Sequence, residues 1–462
     1  MNNIILNSDS YKFSHYKGYP PKTEEVWSYI ESRGGKWYNQ VFFGLQMFLK
    51  EYLSKPITLE MIDEAEEFVV AHGLPFNREG WMYILNQHNG YLPVEIEAVP
   101  EGTVVPMGNV LVQLHNTDTN VPWLTSYLET ALLRSVWYPT TVATNSWQIK
   151  QVIKKFLDET ADDTGAEIGF KLHDFGARGV SSMESAGIGG AAHLVNFMGT
   201  DTVTGALYAR KYYGETMAGF SIPAAEHSTI TSWGGPNEEI DAFRNMLDQF
   251  AGPGKLVAVV SDSYDIYRAT KELWGKELKQ EVLDSGATVV VRPDSGDPTI
   301  VPVEVIENLM EAYGFEENSK GYKVLPQCVR VIQGDGININ SITKILQNMK
   351  DRKISASNIA FGMGGALLQE LNRDTLMFAM KACAIKVNGM YRDVFKKPVT
   401  DSGKNSKAGR LALIRRRDDE LETVRRDDLR DEKNLLEVVY RNGQILKNYS
   451  FAEIRERSKD EL

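Results

Sequence analysis

Seven short apolar runs between residues 168 and 366 end in the same kind of polar or glycine-rich tip. They read GFKLHDFGARG (169–179), LVNFMGTDT (194–202), FSIPAAEHST (220–229), LVAVVSDSYD (256–265), TVVVRPDSGD (288–297), VRVIQGDG (329–336) and IAFGMGGA (359–366). Each tip carries a residue able to do chemistry: Asp174, Asp201, His227, Asp262 with Asp265, Asp294, Asp335, or the glycines Gly362, Gly364 and Gly365. Asp265 and Asp294 read as functional carboxylates, suited to a hard cation held alongside substrate phosphates or to a developing positive charge on a sugar. Asp262 and Asp297 fit that reading and helix capping equally well. QGDG and GMGG are glycine turns through which backbone N–H groups can approach a phosphate, or simply tight turns. Cations are scattered (Arg33, Arg178, Arg292, Arg373, Lys381, Lys396, Arg410), but GKNSKAGR (403–410) has the composition of a basic loop over a polyanion, or of a solvated face. His227 stands out among seven histidines because it sits at a tip; His173 and His193 read as structural.

The runs have the length and Val/Ile content of buried strands. Tips recur roughly thirty residues apart, the length of a strand–helix–strand unit. In an α/β barrel the C-terminal strand ends converge on one mouth, so the tips would line a single pocket. An open doubly wound sheet produces a similar alternation, but no strong GxGxxG opens the first strand–helix unit, and the barrel is favoured. Between tips, Ile342, Ile345, Leu346 and Met349 form a helical stripe, with Asn340 or Ser341 as its N-cap, and Val303, Ile306, Leu309 and Met310 form another.

The ends of the chain differ from this refrain. Leu45, Phe48, Leu49 and Tyr52 mark an amphipathic helix, residues 94–115 alternate like strands, and Pro122 stands at a first helical position before Leu124, Tyr127, Leu128 and Ala131. Asn442–Gly443 is a hairpin signal. The expected organisation is an N-terminal α+β region (1–150), a catalytic barrel (151–375) and a C-terminal segment (376–462) that joins the first region in a second α+β domain. A chain of 462 residues is long enough for two domains. Its net charge of −11 argues against a general nucleic-acid binder. Two cysteines, Cys328 and Cys383, give no disulfide framework and point to a reducing compartment. The first residues lack a basic start and long apolar core, and no run approaches a membrane span, so a cytoplasmic protein is expected.

Longer stretches resemble the nicotinamide phosphoribosyltransferases, within the nicotinate/nicotinamide phosphoribosyltransferase family. They include NSDSYKFSHYKGYPP (7–21), SYIESRGG (28–35), HDFGARGVSSMESAGIGGAAHLVNFMGTDT (173–202), IPAAEHSTITSWG (222–234), RPDSGDP (292–298), IAFGMGGALLQELNRD (359–374) and VFKKP (394–398). The resemblance runs end to end. It implies an irregular α/β barrel of the type II phosphoribosyltransferase kind, a homodimer with shared active sites, and transfer of phosphoribose from phosphoribosyl pyrophosphate to nicotinamide. Mg²⁺ and, as co-substrate, ATP are implied too. Phe175 would stack on the pyridine ring with Tyr11 of the partner subunit opposite, and a buried Asp201 would accept from the carboxamide. Arg292 and Asp294 would hold base and ribose, with Asp265 in the Mg²⁺–pyrophosphate network. Arg178, Gly334, Asp335, Gly364 and Gly365 would line the nucleotide end, and Arg373 would grip phosphate. Arg33, Lys381, Lys396 and Arg410 would contact the polyphosphate, and His227 would be phosphorylated by ATP. Ala177, Met363 and Ala366 depart from the expected pattern, and Met363 bears on the fit of the phosphate turn. A nicotinate phosphoribosyltransferase and a non-catalytic protein on the same scaffold are the rival readings.

Overall fold

The computed structural model describes residues 3–165, 167–400, 403 and 405–459. The chain divides into two compact units: Met1–Thr144 with Ala209–Glu215 and Leu371–Leu462, and Asn145–Tyr208 with Thr216–Glu370. Arg373, expected within the barrel segment, therefore belongs to the first unit.

The first unit is built on a seven-stranded antiparallel sheet. Thr23–Ser32 from the N-terminal part pairs with Phe378–Val387 from the C-terminal part, placing Tyr29 opposite Lys381. Val94–Ala98 likewise pairs with Glu437–Arg441. Both ends of the chain thus share one hydrogen-bonded sheet. The hairpin at Asn442 (φ 50°) and Gly443 (φ 89°) closes as its sequence predicts, because both residues tolerate the left-handed region that a two-residue turn requires. Pro122 lies in a turn, and the helix begins at Leu124. Leu45, Phe48 and Leu49 are buried as expected, on a short α-helix that continues as a π-turn through Leu53.

The second unit carries a parallel sheet of six strands: β1 (Leu172–Asp174), β2 (Gly199–Thr200), β3 (Leu256–Val260), β4 (Thr288–Arg292), β5 (Val329–Gln333) and β6 (Ile359–Met363). Their spatial order is β2-β1-β6-β5-β4-β3. The two edges are joined by an irregular stave at 220–225. Phe220 donates to Met198 O (2.7 Å) and accepts from Thr200 N (3.0 Å); Ala225 donates to Ala258 O (2.9 Å) and Pro223 accepts from Ala258 N (2.9 Å). The ring closes, and going round it the staves follow chain order. This is the irregular α/β barrel, and the open doubly wound sheet is set aside. Two runs are less regular than their composition predicts: Leu194 ends the helix Met183–Leu194, leaving only Gly199–Thr200 as strand, and FSIPAA makes isolated bridges without a full ladder.

Helices on the outside seal the ring. On Ile339–Asp351, Ile342, Ile345, Leu346 and Met349 are all 2 % exposed or less, each burial contributing about 1.5–3 kcal/mol. Val303, Ile306, Leu309 and Met310 bury the same way on Val301–Tyr313. The N-cap of the former is Asn338, whose Oδ1 accepts from Asn340 N and Ser341 N, while Ser341 Oγ receives Asn338 N; the cap sits earlier than either residue expected for it. Among the described residues, no helix is long and apolar enough to cross a membrane.

Candidate active site

Alternation along the staves decides what faces the inside of the ring. Val257, Val259, Val289 and Val291 are fully buried and face outward, towards the helices. The inward positions form layers. Lys171 and Arg330 lie at the N-terminal end. Ala258, Val290 and Ile332 form the middle, packed against Ile222 and Ala360. Phe175 and Arg292 stand at the C-terminal mouth. Because two of these five middle-layer side chains are alanines, the interior does not fill as barrels of this kind usually do. A cavity of about 420 Å³ runs along the axis and opens at Phe175, Asp201, Ser221 and Arg292. Space for a flat ring is therefore written into the alanines.

The mouth depends on two glycines. A Cβ on Gly362 would lie 2.0 Å from Cε2 and 2.2 Å from Cδ2 of Phe175, and one on Gly334 would lie 3.3 Å from both Arg292 Nε and the Phe175 ring. The first glycine of GMGG is thus required by the aromatic ring beside it, and the first of QGDG is tightly packed against the same ring, a reason that sequence alone does not disclose. A Cβ on Gly365 would meet nothing within 4 Å and one on Gly364 only the Phe175 carbonyl at 3.8 Å, so both backbones have room to approach a ligand. The helix after GMGG is only Gly365–Leu368, and the N–H groups opening the helix after QGDG are engaged by Asn338. Met363 is buried in β6, paired with Asp174, with its carbonyl accepting Phe175 N–H at 3.0 Å, so it lies outside the turn whose fit it was expected to affect. Ala366 accepts from Asn145 Nδ2 (3.3 Å) through its carbonyl, and Ala177 is exposed beside Arg178.

Phe175 carries the Arg292 guanidinium 5.7 Å from its ring centroid. Arg292 in turn donates from Nη2 (2.6 Å) and Nε (3.1 Å) to Asp294 Oδ1. Asp201 is exposed to the cavity, against the expectation that it is buried, and its Oδ1 accepts from Ser221 Oγ at 2.5 Å. It does not cap the helix that follows: Thr202 N–H is taken by Thr200 Oγ1 and Val203 N–H by the Asp201 carbonyl. Ser221 escaped the sequence reading because its stave makes too few ladder bonds to read as a strand. His173 lines the same cavity; burial lowers its pKa, and Nε2 meets the Phe170 carbonyl at 3.0 Å. His193 is buried between Ser146 and Gly199, a structural histidine as expected.

A second constellation surrounds His227, which opens the short helix His227–Thr231. Its Nε2 lies 3.1 Å from Asp262 Oδ1 and its Nδ1 4.0 Å from Asp294 Oδ2. Asp262 is held from the other side by Asp294 N (3.0 Å) and Ser295 Oγ. Its side chain is only 3 % exposed against 47 % for His227, so a fixed carboxylate orients an accessible imidazole. Asp262 thus does not cap a helix. Asp297 does not cap the helix Val301–Tyr313 either; its Oδ1 accepts Thr299 N and Oγ1 and so closes a turn ahead of that helix. Asp265 accepts Tyr267 N and Arg268 N through Oδ1, so one of its oxygens is an N-cap. Asp335 is exposed, its carbonyl accepting from Gln333 Nε2 at 2.9 Å.

The remaining cations belong to the first unit. Burial lowers the pKa of Lys381; the Glu129 carboxylate raises it, and Arg33, Lys396 and Lys12 lower it as like charges. Arg33, Lys381 and Lys396 therefore form one basic cluster. Arg410 pairs with Asp427 and stacks over Tyr391 at 4.5 Å, and Lys407 pairs with Glu31. Arg373 donates to the adjacent Asp374, and Tyr11 is 56 % exposed. Lys404 lies outside the described residues.

Comparison with known proteins agrees with this geometry. Residues 170–444 match the model of the nicotinate phosphoribosyltransferase family, and residues 3–96 match the nicotinamide phosphoribosyltransferase N-terminal domain. A nicotinamide phosphoribosyltransferase of Xanthomonas campestris is 54 % identical over 98 % of both chains. One from Acinetobacter baylyi is 34 % identical over 98 % of this chain and 96 % of its own. Among solved structures, a nicotinate-nucleotide pyrophosphorylase from Pyrococcus furiosus shares the fold at a TM-score of 0.64 and 17 % identity, covering 100 % of this chain and 97 % of that one.

The fit between Phe175 and its glycines is directly testable. Gly362→Ala should push the Phe175 ring into another rotamer and cost about 1–3 kcal/mol of unfolding free energy. A crystal structure of the variant with Phe175 unmoved, together with unchanged stability, would contradict the packing argument.

Proposed function

Because this chain belongs to the nicotinate phosphoribosyltransferase family, and is accordingly a phosphoribosyltransferase, we propose that its acceptor is nicotinamide and its products are nicotinamide mononucleotide and pyrophosphate. The observation that carries this reading is the open Asp201 carboxylate beside Phe175 at the cavity mouth. The pyridine ring stacks on Phe175, and Tyr11 of the partner subunit in a homodimer covers its other face. A carboxamide NH₂ donates to Asp201, a charge-assisted contact of about 1.5–3 kcal/mol. Nicotinate would bring a second carboxylate to the same place with no donor between the two. This argues against the nicotinate reading, and membership of an enzyme family argues against a non-catalytic scaffold.

The reaction itself asks little acid–base chemistry of the protein. The pyridine nitrogen is already a nucleophile, so it attacks the anomeric carbon as the bond to pyrophosphate breaks. Asp294, held by Arg292, faces the ribose and stabilises the positive charge that develops there. Arg178, Gly334, Asp335, Gly364 and Gly365 line the nucleotide end, and Arg373 takes a phosphate. The cluster of Arg33, Lys381 and Lys396, together with Arg410, takes the polyphosphate. Among the described residues no three carboxylate, histidine or cysteine ligands converge. Such a donor set fits magnesium that arrives on the pyrophosphate, with Asp265 and Asp294 reaching it through water. There it would neutralise the departing phosphates.

His227 is the phosphoryl acceptor for ATP. Asp262 takes the Nε2–H and leaves the Nδ1 lone pair, on the side of Asp294, as the nucleophile; Nδ1 bonds to the γ-phosphorus as the bond to ADP breaks. The cycle would serve NAD salvage in the cytoplasm.

Two outcomes follow. With nicotinamide and nicotinate assayed in parallel, nicotinamide should be preferred by at least ~10³-fold in kcat/KM, and Asp201→Asn should lose nicotinamide efficiency while relaxing the exclusion of nicotinate. Equal use of both rings by the wild type would give the nicotinate reading the stronger case. Separately, γ-labelled ATP should label the wild type and leave His227→Ala unlabelled, with a weak uncoupled transfer remaining; equal labelling of both would remove His227 from that role.

A further inference from the structure

Asp174 ends β1 between the two halves of the base site, yet the reaction proposed above does not use it. It is fully buried, so it cannot touch the ring. Its hydrogen bonds run to both groups that do. The Asp174 carbonyl accepts Asp201 N–H at 2.9 Å. Its Oδ1 accepts Gly176 N–H at 2.7 Å, a two-residue side-chain turn closed around Phe175. Gly176 must be glycine for this turn, since a Cβ there would lie 2.7 Å from Leu368 and 3.0 Å from Asp174 Oδ1. We infer that Asp174 is a positioning residue that sets Phe175 and Asp201 together, and that its buried charge behind Asp201 sharpens the choice of a carboxamide over a carboxylate. The inference rests on the nicotinamide reading of the same site.

The surroundings of the carboxyl support the second half. Burial pushes it up to about 6, the Gly176 N–H pulls it back, and the Asp201 carboxylate raises it further. The flanking strands bring Thr200 and Met363 beside it, neither of them charged. On its own strand His173 has its pKa lowered by burial. Asp201 is thus the charge that Asp174 answers to. Since the pKa lies above the usual Asp value, Asp174 is ionised above about pH 6 and neutral below it. Above that point a carboxylate ring meets two negative charges; below it, one.

Kinetics of the full-length wild type, Asp174→Ala and Asp174→Asn with nicotinamide, nicotinate and phosphoribosyl pyrophosphate test both halves. Asp174→Ala should raise KM for nicotinamide about tenfold while KM for phosphoribosyl pyrophosphate stays near its wild-type value. Asp174→Asn, whose amide oxygen still accepts Gly176 N–H, should recover most of that loss. In the wild type the nicotinamide-to-nicotinate ratio of kcat/KM should fall roughly tenfold as pH drops through 6, and Asp174→Asn should flatten that slope. A wild-type nicotinamide KM in Asp174→Ala overturns the positioning role, and equal slopes in wild type and Asp174→Asn overturn the charge role. Should Asp174→Ala not fold, the slope decides alone. A wild type that converts neither ring would sink the substrate reading and this inference with it, an outcome distinct from a selective wild type indifferent to Asp174.

Discussion

The Phe175 ring can occupy the mouth of the barrel only because the neighbouring staves carry hydrogen where other residues carry a side chain. With Gly362 and Gly334 beside it, the ring approaches the backbone closely and supports the Arg292 guanidinium. Arg292 fixes Asp294, whose backbone N–H fixes Asp262, whose carboxylate fixes His227. One steric concession at the mouth thus propagates through four polar side chains on three staves. Below it, alanines at the inward positions leave an apolar channel of ring width in place of a packed core.

The polar groups around that ring are arranged by accessibility as much as by charge. Asp262 and Asp174 are buried and serve to orient; His227 and Asp201 are exposed and available to a ligand. A buried carboxylate with fixed donors keeps its geometry when substrate charge arrives, which is what electrostatic preorganisation requires. The cationic groups are treated differently. Lys381 sits among Arg33, Lys396 and Lys12 with Glu129 nearby, and burial lowers its pKa, whereas Arg410 and Lys407 are paired directly with carboxylates.

Much of this was legible in the residues. Val-rich runs at regular spacing fix a parallel barrel because strands buried on both faces need continuous apolar sequence, and Asp294, Asp201 and His227 stand out because polar residues rarely follow such runs without reason. Other features were hidden for physical causes. The packing of the Phe175 ring against Gly362 and Gly334 leaves no trace in the sequence, since a Cβ clash is a tertiary fact. Ser221 sits on a stave bonded by isolated bridges, which leaves no periodic trace. Asp262 and Asp265 share one motif, yet one orients a histidine and the other caps a helix, and only three-dimensional partners separate them. Asp201 is open to the cavity although a substrate-selecting carboxylate was expected to be buried; the ligand itself would complete that burial.

The most direct test of the account is a crystal structure of the protein with nicotinamide mononucleotide. The pyridine ring is predicted to lie against Phe175 with its carboxamide nitrogen within about 3 Å of an Asp201 oxygen and the ribose turned towards Asp294. A ring bound elsewhere, or a carboxamide turned away from Asp201 in a fully occupied site, would contradict it.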